Sequence, residues 1–288
     1  MEIRVLNYFL TVAREKTISK AAMALHLSQP TLSKQLKELK EELGVQLFIR
    51  GNRKIVITEE GNYLVNRGKE ILSLIENTTS NIQSNELIIG EITVGDGETR
   101  AFEFISSHFT QLQSKFPEIK INLYSGHADD VLDKIDKGLL DFRLVIDPVE
   151  KQKYDYIRLS SVDNWGILVN NENLLATKKI IIPKDISGFP LLLSNQSLVN
   201  NQFAEWLGKS IDSVNVIGTY NLLFNASLLV KQNTASAVCI DGIIETKHTN
   251  LTFVPFSPSL TSAVNIIWKK NQIFSNASKA FLQLITSH

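Results

Sequence analysis

No part of this 288-residue chain restricts its fold more tightly than Thr17–Gly44, T-I-S-K-A-A-M-A-L-H-L-S-Q-P-T-L-S-K-Q-L-K-E-L-K-E-E-L-G. A short amphipathic helix starts at Thr17 or Ile18 and turns Ala21, Ala22 and Leu25 inward, with two small residues that permit a close helix crossing. Leu27 takes the turn. Ser28 then offers an N-cap hydroxyl and Pro30 suits a helix start, where its missing N–H costs nothing. Leu32, Leu36, Leu39 and Leu43 form the apolar stripe of the next helix, which Gly44 stops. Upstream, Ile3, Leu6, Phe9, Leu10 and Ala13 recur at three- and four-residue spacing and predict a helix over 3–15.

The face opposite the leucines holds Gln29, Pro30, Thr31, Ser33, Lys34 and Lys37. A helix-turn-helix (about 18–37) has this form: its second helix enters the major groove, side chains near its start reach base edges, and basic residues meet phosphates. A solvated face on an ordinary helical hairpin would show the same polarity, so the neighbouring segment decides. V-Q-L-F-I-R-G-N-R-K-I-V-I-T-E-E-G follows at once, two strand-like runs around a basic turn. Such a wing can lay Arg50, Arg53 and Lys54 along the DNA backbone or into the minor groove. Net charge points the same way. Residues 1–57 hold ten Lys and Arg against five Glu, whereas the remainder holds 20 basic against 25 acidic residues. Only the front suits a polyanion.

Helix, helix-turn-helix and basic wing together resemble the N-terminal domain of LysR-type transcriptional regulators. Phe9, Val12, S-K-A-A-M-A-L at 19–25, L-S-Q-P-T-L-S-K-Q-L-K-E-L-K-E-E-L-G-V-Q-L-F-I-R at 27–50 and T-E-E-G at 58–61 carry the resemblance. From Thr58 to Ser84 no proline interrupts a helical pattern, and Leu64, Gly68, Ile71, Ile75, Thr78 and Ile82 form a seam of four- and three-residue steps suited to a second helix. About 27 residues make ~40 Å of helix at ~1.5 Å per residue, long for one small domain. The resemblance implies a linker helix that pairs two chains antiparallel, hence a homodimer or homotetramer. A connector docked on its own protein would fit the same pattern.

Beyond residue 88 strand-like and helical runs alternate, with helices near 99–115, 128–139, 200–210, 221–232 and 275–286, which implies an α/β fold with largely parallel sheets. I-T-V-G, F-P-E-I-K-I-N-L-Y-S-G and L-D-K-I-D-K-G-L-L-D are similar to the family's effector domain, a two-lobed α/β fold like type 2 periplasmic binding proteins. The expected division is a winged helix-turn-helix over 1–58, a linker and dimerisation helix over 59–87, and an effector-binding domain over 88–288. By analogy lobe I takes about 90–162 and 265–288, and lobe II about 163–264. Two departures from the family pattern stand out: Arg143 in L-D-F-R-L-V-I, where a small residue is usual, and Q-N-T-A-S-A at 232–237 in place of Gly-x-Gly. Arg143 could line the cleft or reach solvent.

In a two-lobed fold ligands sit at strand carboxyl ends facing the cleft. The candidates are Gly97, Glu98 and Thr99, then Ser125, Gly126 and His127, with Ser194, Asn195, Tyr220 and Asn221 from the other lobe. Thr99 either caps its helix or helps that helix's free amides hold an anion, so a small, polar, anionic effector is expected; Glu98 argues mildly against it. The partners implied are operator DNA, that effector, a second copy and, for an activator, RNA polymerase.

Rival chemistries find little support. Gly95 and Gly97 match two glycines of a dinucleotide loop, but Arg100 replaces the third. The chain has no P-loop motif and no G-x-S-x-G elbow, and its five histidines lack metal-ligand spacing, so neither cofactor, metal nor catalytic site is expected. Cys239 is a single, apolar-flanked cysteine, which excludes an internal disulfide framework and suits a reducing cytoplasm. The N-terminus lacks signal-peptide features and no run of ~18 apolar residues suggests a membrane span. The alternative is a solute-binding protein or enzyme of the two-lobed class with an incidental basic front.

Overall fold

The computed structural model describes residues 1–51, 54–83, 88–126, 128–147, 152–195 and 197–287. They form two compact units, Met1–Gln83 and Ser84–His288.

The first unit packs α1 (Ile3–Glu15), α2 (Ile18–Ala24) and α3 (Gln29–Leu43) around Phe9, Val12, Ala21, Leu32, Leu36 and Leu39, all buried. Local chemistry sets each boundary. The Thr17 hydroxyl accepts from the amide of Lys20 at 3.3 Å, and the Ser28 hydroxyl from the amide of Thr31 at 3.3 Å. Gly44 takes φ 68° to end α3, and His26 takes φ 54° in the α2–α3 turn. Strands β1 (Phe48–Arg50) and β2 (Ile55–Ile57) pair antiparallel as a short wing. The Ile55 amide donates to the carbonyl of Lys16 at 2.9 Å, which pins the wing to the α1–α2 turn.

Helix α4 (Glu59–Gln83) starts at the T-E-E-G motif. The Thr58 hydroxyl donates to the Gln46 carbonyl at 2.6 Å and accepts from the Gly61 amide at 3.0 Å. A Cβ on Gly61 would lie 2.0 Å from the carbonyl oxygen of Leu47, so only glycine fits that crossing. Further along, a Cβ on Gly68 would lie 2.8 Å from Leu6 and 3.2 Å from Leu10. The seam predicted from Leu64 to Ile82 therefore divides: Leu64 and Gly68 pack within their own unit, whereas Ile71 and Ile82 are exposed.

The second unit is built on one nine-stranded sheet. In chain order its elements are β3 (Gly90–Asp96), α5 (Phe102–Lys115), β4 (Ile119–Ser125), α6 (Ala128–Asp136), β5 (Phe142–Ile146), β6 (Tyr154–Asn170), β7 (Leu191–Ser194), α7 (Ser197–Leu207), β8 (Val216–Tyr220), α8 (Leu223–Lys231), β9 (Ser236–Ile240), β10 (Leu251–Pro255), β11 (Thr261–Lys269) and α9 (Asn276–Thr286). The strand order is β4-β3-β5-β11-β6-β9-β7-β8, with β10 also paired to β6.

The sheet is mixed rather than largely parallel. β3 runs parallel to β4 and β5, and β7 parallel to β8 and β9, but β6 and β11 pair antiparallel with all their neighbours. The runs Y-I-R-L-S-S-V and W-G-I-L-V-N are one 17-residue strand, so residue 163, where the lobes were expected to divide, lies inside β6. K-K-I-I-I is not a strand; Ile181 alone bridges to Phe256 and is fully buried in the core around Phe203. Two large cores lie along the sheet. One joins Ile92, Ile105, Phe142, Leu144 and Phe281; the other joins Ile167, Leu191, Phe203, Val238 and Val254. These are the cores of two lobes.

Candidate functional site

In the first unit the leucines and the polar candidates of α3 separate as an amphipathic helix requires. Leu32, Leu36 and Leu39 are buried; Gln29, Pro30, Thr31, Lys34 and Lys37 are exposed, and Ser33 is half-buried. Gln29 accepts from the Ser19 hydroxyl at 3.3 Å, and the Ser28 and Thr31 hydroxyls lie 2.7 Å apart. Lys34 and Lys37 form open ion pairs with Glu38 (3.8 Å) and Glu41 (3.6 Å). Exposed i,i+4 pairs of this kind contribute only a few tenths of a kcal/mol, so both ammonium groups can turn to a phosphate at little cost. Lys54 is exposed beside the wing. Arg53 and the side chain of Arg50 lie outside the described residues.

In the second unit the carboxyl end of β3 faces a cavity of about 250 Å³ with walls from both lobes. Gly97, Glu98, Thr99, Ser194, Tyr220 and Asn221 all line it; Ser125, Gly126 and Asn195 do not, and His127 lies outside the described residues. Sequence reasoning missed Asp96, Asp147, Trp165 and Gln202, which also line it, as does Arg143, which is buried and faces the cleft rather than solvent. Asp96 closes the β3 strand and Asp163 lies inside β6, so neither follows a strand end, the signal used to choose candidates.

Thr99 does not start a helix with free amides. Its hydroxyl donates to Asp163 at 2.7 Å and accepts from the Ala101 amide at 3.1 Å, while the amides of Phe102, Glu103 and Phe104 donate to carbonyls three residues back, ahead of regular α5 geometry. Glu98 reaches across to the other lobe and accepts the amide of Leu223 at the start of α8, a helix with no side-chain cap of its own. Burial, reinforced by the Asp163 charge, pushes the Asp96 carboxyl well above the ordinary range; Arg143 nearby opposes this. Burial likewise raises Asp163, against the hydrogen bond from Thr99. Gly95 lies within β3, where a Cβ would sit 2.4 Å from Val131, so it serves helix packing and not a phosphate loop. Cys239 is buried in β9, and burial pushes its thiol far above the ordinary value. Among the described residues no group of His, Cys, Asp and Glu is disposed to hold a metal, and no helix is long and apolar enough to cross a membrane.

A winged helix-turn-helix with an exposed polar recognition face, carried on the same chain as a two-lobed α/β unit with a cavity between its lobes, defines the ligand-controlled DNA-binding regulators. Comparison with known proteins gives the family. The family described as "Bacterial regulatory helix-turn-helix protein, lysR family" matches residues 3–62, and "LysR substrate binding domain" matches residues 85–288. The chain belongs to the LysR family: it is a DNA-binding transcriptional regulator with an effector-binding domain, not an enzyme or a solute carrier. It is 25% identical over 299 aligned positions to the HTH-type transcriptional regulator BsdA of Bacillus subtilis, covering 99% of this chain and 100% of that one. It is 28% identical over 197 positions to the dual regulator OxyR of Escherichia coli, covering 67% and 63% of the two chains. In fold it is similar to full-length CbnR in complex with its target DNA, with a TM-score of 0.78, 17% identity and coverage of 100% and 99%.

Proposed function

We propose that this regulator reads operator DNA with the start of α3 and answers to a small molecule held in the cavity between the two lobes of its second unit. The observation that supports the DNA half is the clean division of α3, with Leu32, Leu36 and Leu39 buried and Gln29, Pro30, Thr31, Lys34 and Lys37 exposed. Gln29, Thr31 and Ser33 read bases; Lys34 and Lys37 hold phosphates, with Arg50, Arg53 and Lys54 of the wing on the adjacent backbone. The regulator that CbnR exemplifies was crystallised on its target DNA, which supports the same assignment here. The exposed part of α4, Ile71 to Ile82, pairs two chains, because one helix-turn-helix covers too few base pairs to select a site in a genome. The chain works in the cytoplasm as a homodimer or homotetramer, and meets RNA polymerase where it activates.

The effector half is supported by one cavity that gathers six of the ten candidate residues, three just after β3, one closing β7 and two ahead of α8. Effector and operator affinities are linked, so whatever the effector does to DNA binding, DNA does to effector binding. Replacing Gln29 by Ala relaxes preference at one operator base, at roughly 1–3 kcal/mol; selection from random duplexes measures it, and an unchanged site profile would move base reading elsewhere. Thr99→Val with Ser194→Ala keeps operator binding but removes the metabolite response in a promoter reporter. A normal response would place the effector in another site.

A further inference from the structure

The cavity walls hold more than polarity, because their charges are unbalanced. Asp96, Glu98 and Asp147 line the cavity against Arg143, the one cationic lining residue among those described. Asp147 is compensated by Arg158 at 3.6 Å and by the amide group of Asn265 at 2.7 Å. Asp163 stands directly behind Thr99 at 2.7 Å, adding a third carboxylate at the β3 end of the cavity beside Asp96 and Glu98.

An anionic ligand would need donors, and the amides that lead into the two helices starting at the cavity are engaged within the protein. At α5 the amides of Ala101, Phe102, Glu103 and Phe104 are all taken within the turn. At α8 the Leu223 amide is occupied by Glu98 and the Leu222 amide by the Asn221 side chain at 2.9 Å. A carboxylate entering here would meet the carboxyl groups of Asp96, Glu98 and Asp163, whereas a cation would offset them. A metal is not the cation that fits, since the described residues include no cluster of metal-ligating side chains. Beside the polar Thr99, Ser194, Gln202 and Asn221, much of the wall is apolar, with Trp165, Val199, Leu223, Ile240 and Ile243.

From this arrangement we infer that the effector carries a protonated nitrogen, an ammonium or amidinium on a small apolar body, seated between Asp96 and Glu98. The inference rests on the cavity being the effector site. It replaces the anionic effector expected from the sequence, because the helix amides on which that expectation stood are already bonded.

The test uses full-length protein and probes matched in skeleton but opposite in charge: 2-phenylethylamine against 3-phenylpropionate, and n-pentylamine against pentanoate. Binding is read from tryptophan fluorescence, since Trp165 lines the cavity, and from the rise in unfolding temperature that native-state binding brings. Each amine should bind at least tenfold more tightly than its carboxylate partner. Asp96→Asn, which relieves a buried repulsion and so should fold, should narrow that gap at least tenfold. Equal or tighter carboxylate binding that is itself sensitive to Asp96→Asn overturns the charge class while leaving the site in place. Amine binding untouched by Asp96→Asn and by Ser194→Ala, or no amine binding up to millimolar concentration, overturns the assignment of the cavity itself.

Discussion

Asp141 offers a way to measure how the second unit stores electrostatic stress. It precedes β5, and its carboxylate accepts the amide of Thr93 at 2.8 Å and a hydrogen bond from the Ser278 hydroxyl, while its own amide donates to the Thr93 carbonyl at 2.9 Å. It therefore staples β3 to α9. Burial outweighs these bonds and raises its pKa from 3.8 to about 6. A carboxyl with a raised folded pKa stabilises the fold fully below the unfolded value and loses that contribution as pH rises through the folded one. Roughly two pKa units at ~1.36 kcal/mol each make about 3 kcal/mol that wild type loses between pH 4 and pH 6. In Asp141→Asn the amide oxygen still accepts from Thr93, but the Ser278 bond is lost, at about 1 kcal/mol. The variant should then be about 2 kcal/mol more stable than wild type at pH 7.5 and about 1 kcal/mol less stable at pH 4. Urea unfolding of the full chain followed by tryptophan fluorescence measures this, since Trp165, Trp206 and Trp268 are its three tryptophans and all lie in this unit. At an m-value of roughly 2 kcal/mol/M, the midpoint shifts by about 1 M at pH 7.5. A variant destabilised equally at both pH values would refute the reasoning and leave Asp141 as a pair of hydrogen bonds with no ionisation cost.

Three further outcomes follow from close packing and burial. Gly61→Ala places a methyl 2.0 Å from the Leu47 carbonyl oxygen and should abolish operator binding by displacing α4 from the wing, while the tryptophan-monitored unfolding of the second unit stays at wild-type values; intact DNA affinity would show that the crossing yields. Ile71→Asp with Ile75→Asp should give folded monomers by light scattering with weakened operator binding, whereas Gly68→Val should lower the helical melting temperature of the first unit, because its side chain would meet Leu6 and Leu10; a monomeric, fully stable Gly68→Val would return that residue to the pairing seam. Cys239, buried with its thiol pKa raised, should resist iodoacetamide and peroxide in native protein and react only on unfolding. Rapid modification with a change in DNA binding would make it a sensor.

The first unit was legible in detail because its signals are local. Ser28, Pro30 and Gly44 mark ends of α3 by backbone chemistry, and the structure uses Ser28 and Gly44 as caps. What the sequence did not show there was contact across elements: Thr58 bonded to Gln46, and Gly61 and Gly68 kept bare by Leu47, Leu6 and Leu10. The second unit was legible as alternating strands and helices but not in its pairing. Periodicity says nothing about whether neighbouring strands run parallel, and a polar Asp163-Asn164 pair hides the continuity of β6. Six candidates lining the cavity were found from strand ends; Asp96 and Asp163 were missed because a carboxylate within a strand carries no local sign of its burial. Asn233, in the Q-N-T-A-S-A run that stands where glycines are usual, takes φ 55°, a left-handed conformation that asparagine tolerates better than most residues.

The continuity of β6 has a consequence for how such a regulator can change over time. β6 pairs with β11 as far as Asn164 and with β9 and β10 from Trp165 and Gly166 onward, so the chain passes between lobes at that point and again over 256–260. Asp163, bonded to Thr99 at the cavity wall, stands one residue before the crossing. On the proposed reading of the cavity, Asp163 thus links its wall to the strand that both lobes share. A substitution at Asp163 would then disturb the Thr99 contact and that shared strand in a single step. On the same reading Asp96 and Ser194, which line the wall from the ends of strands within single lobes, are the freer positions for a change of effector, whereas Glu98 is itself bonded across to the Leu223 amide.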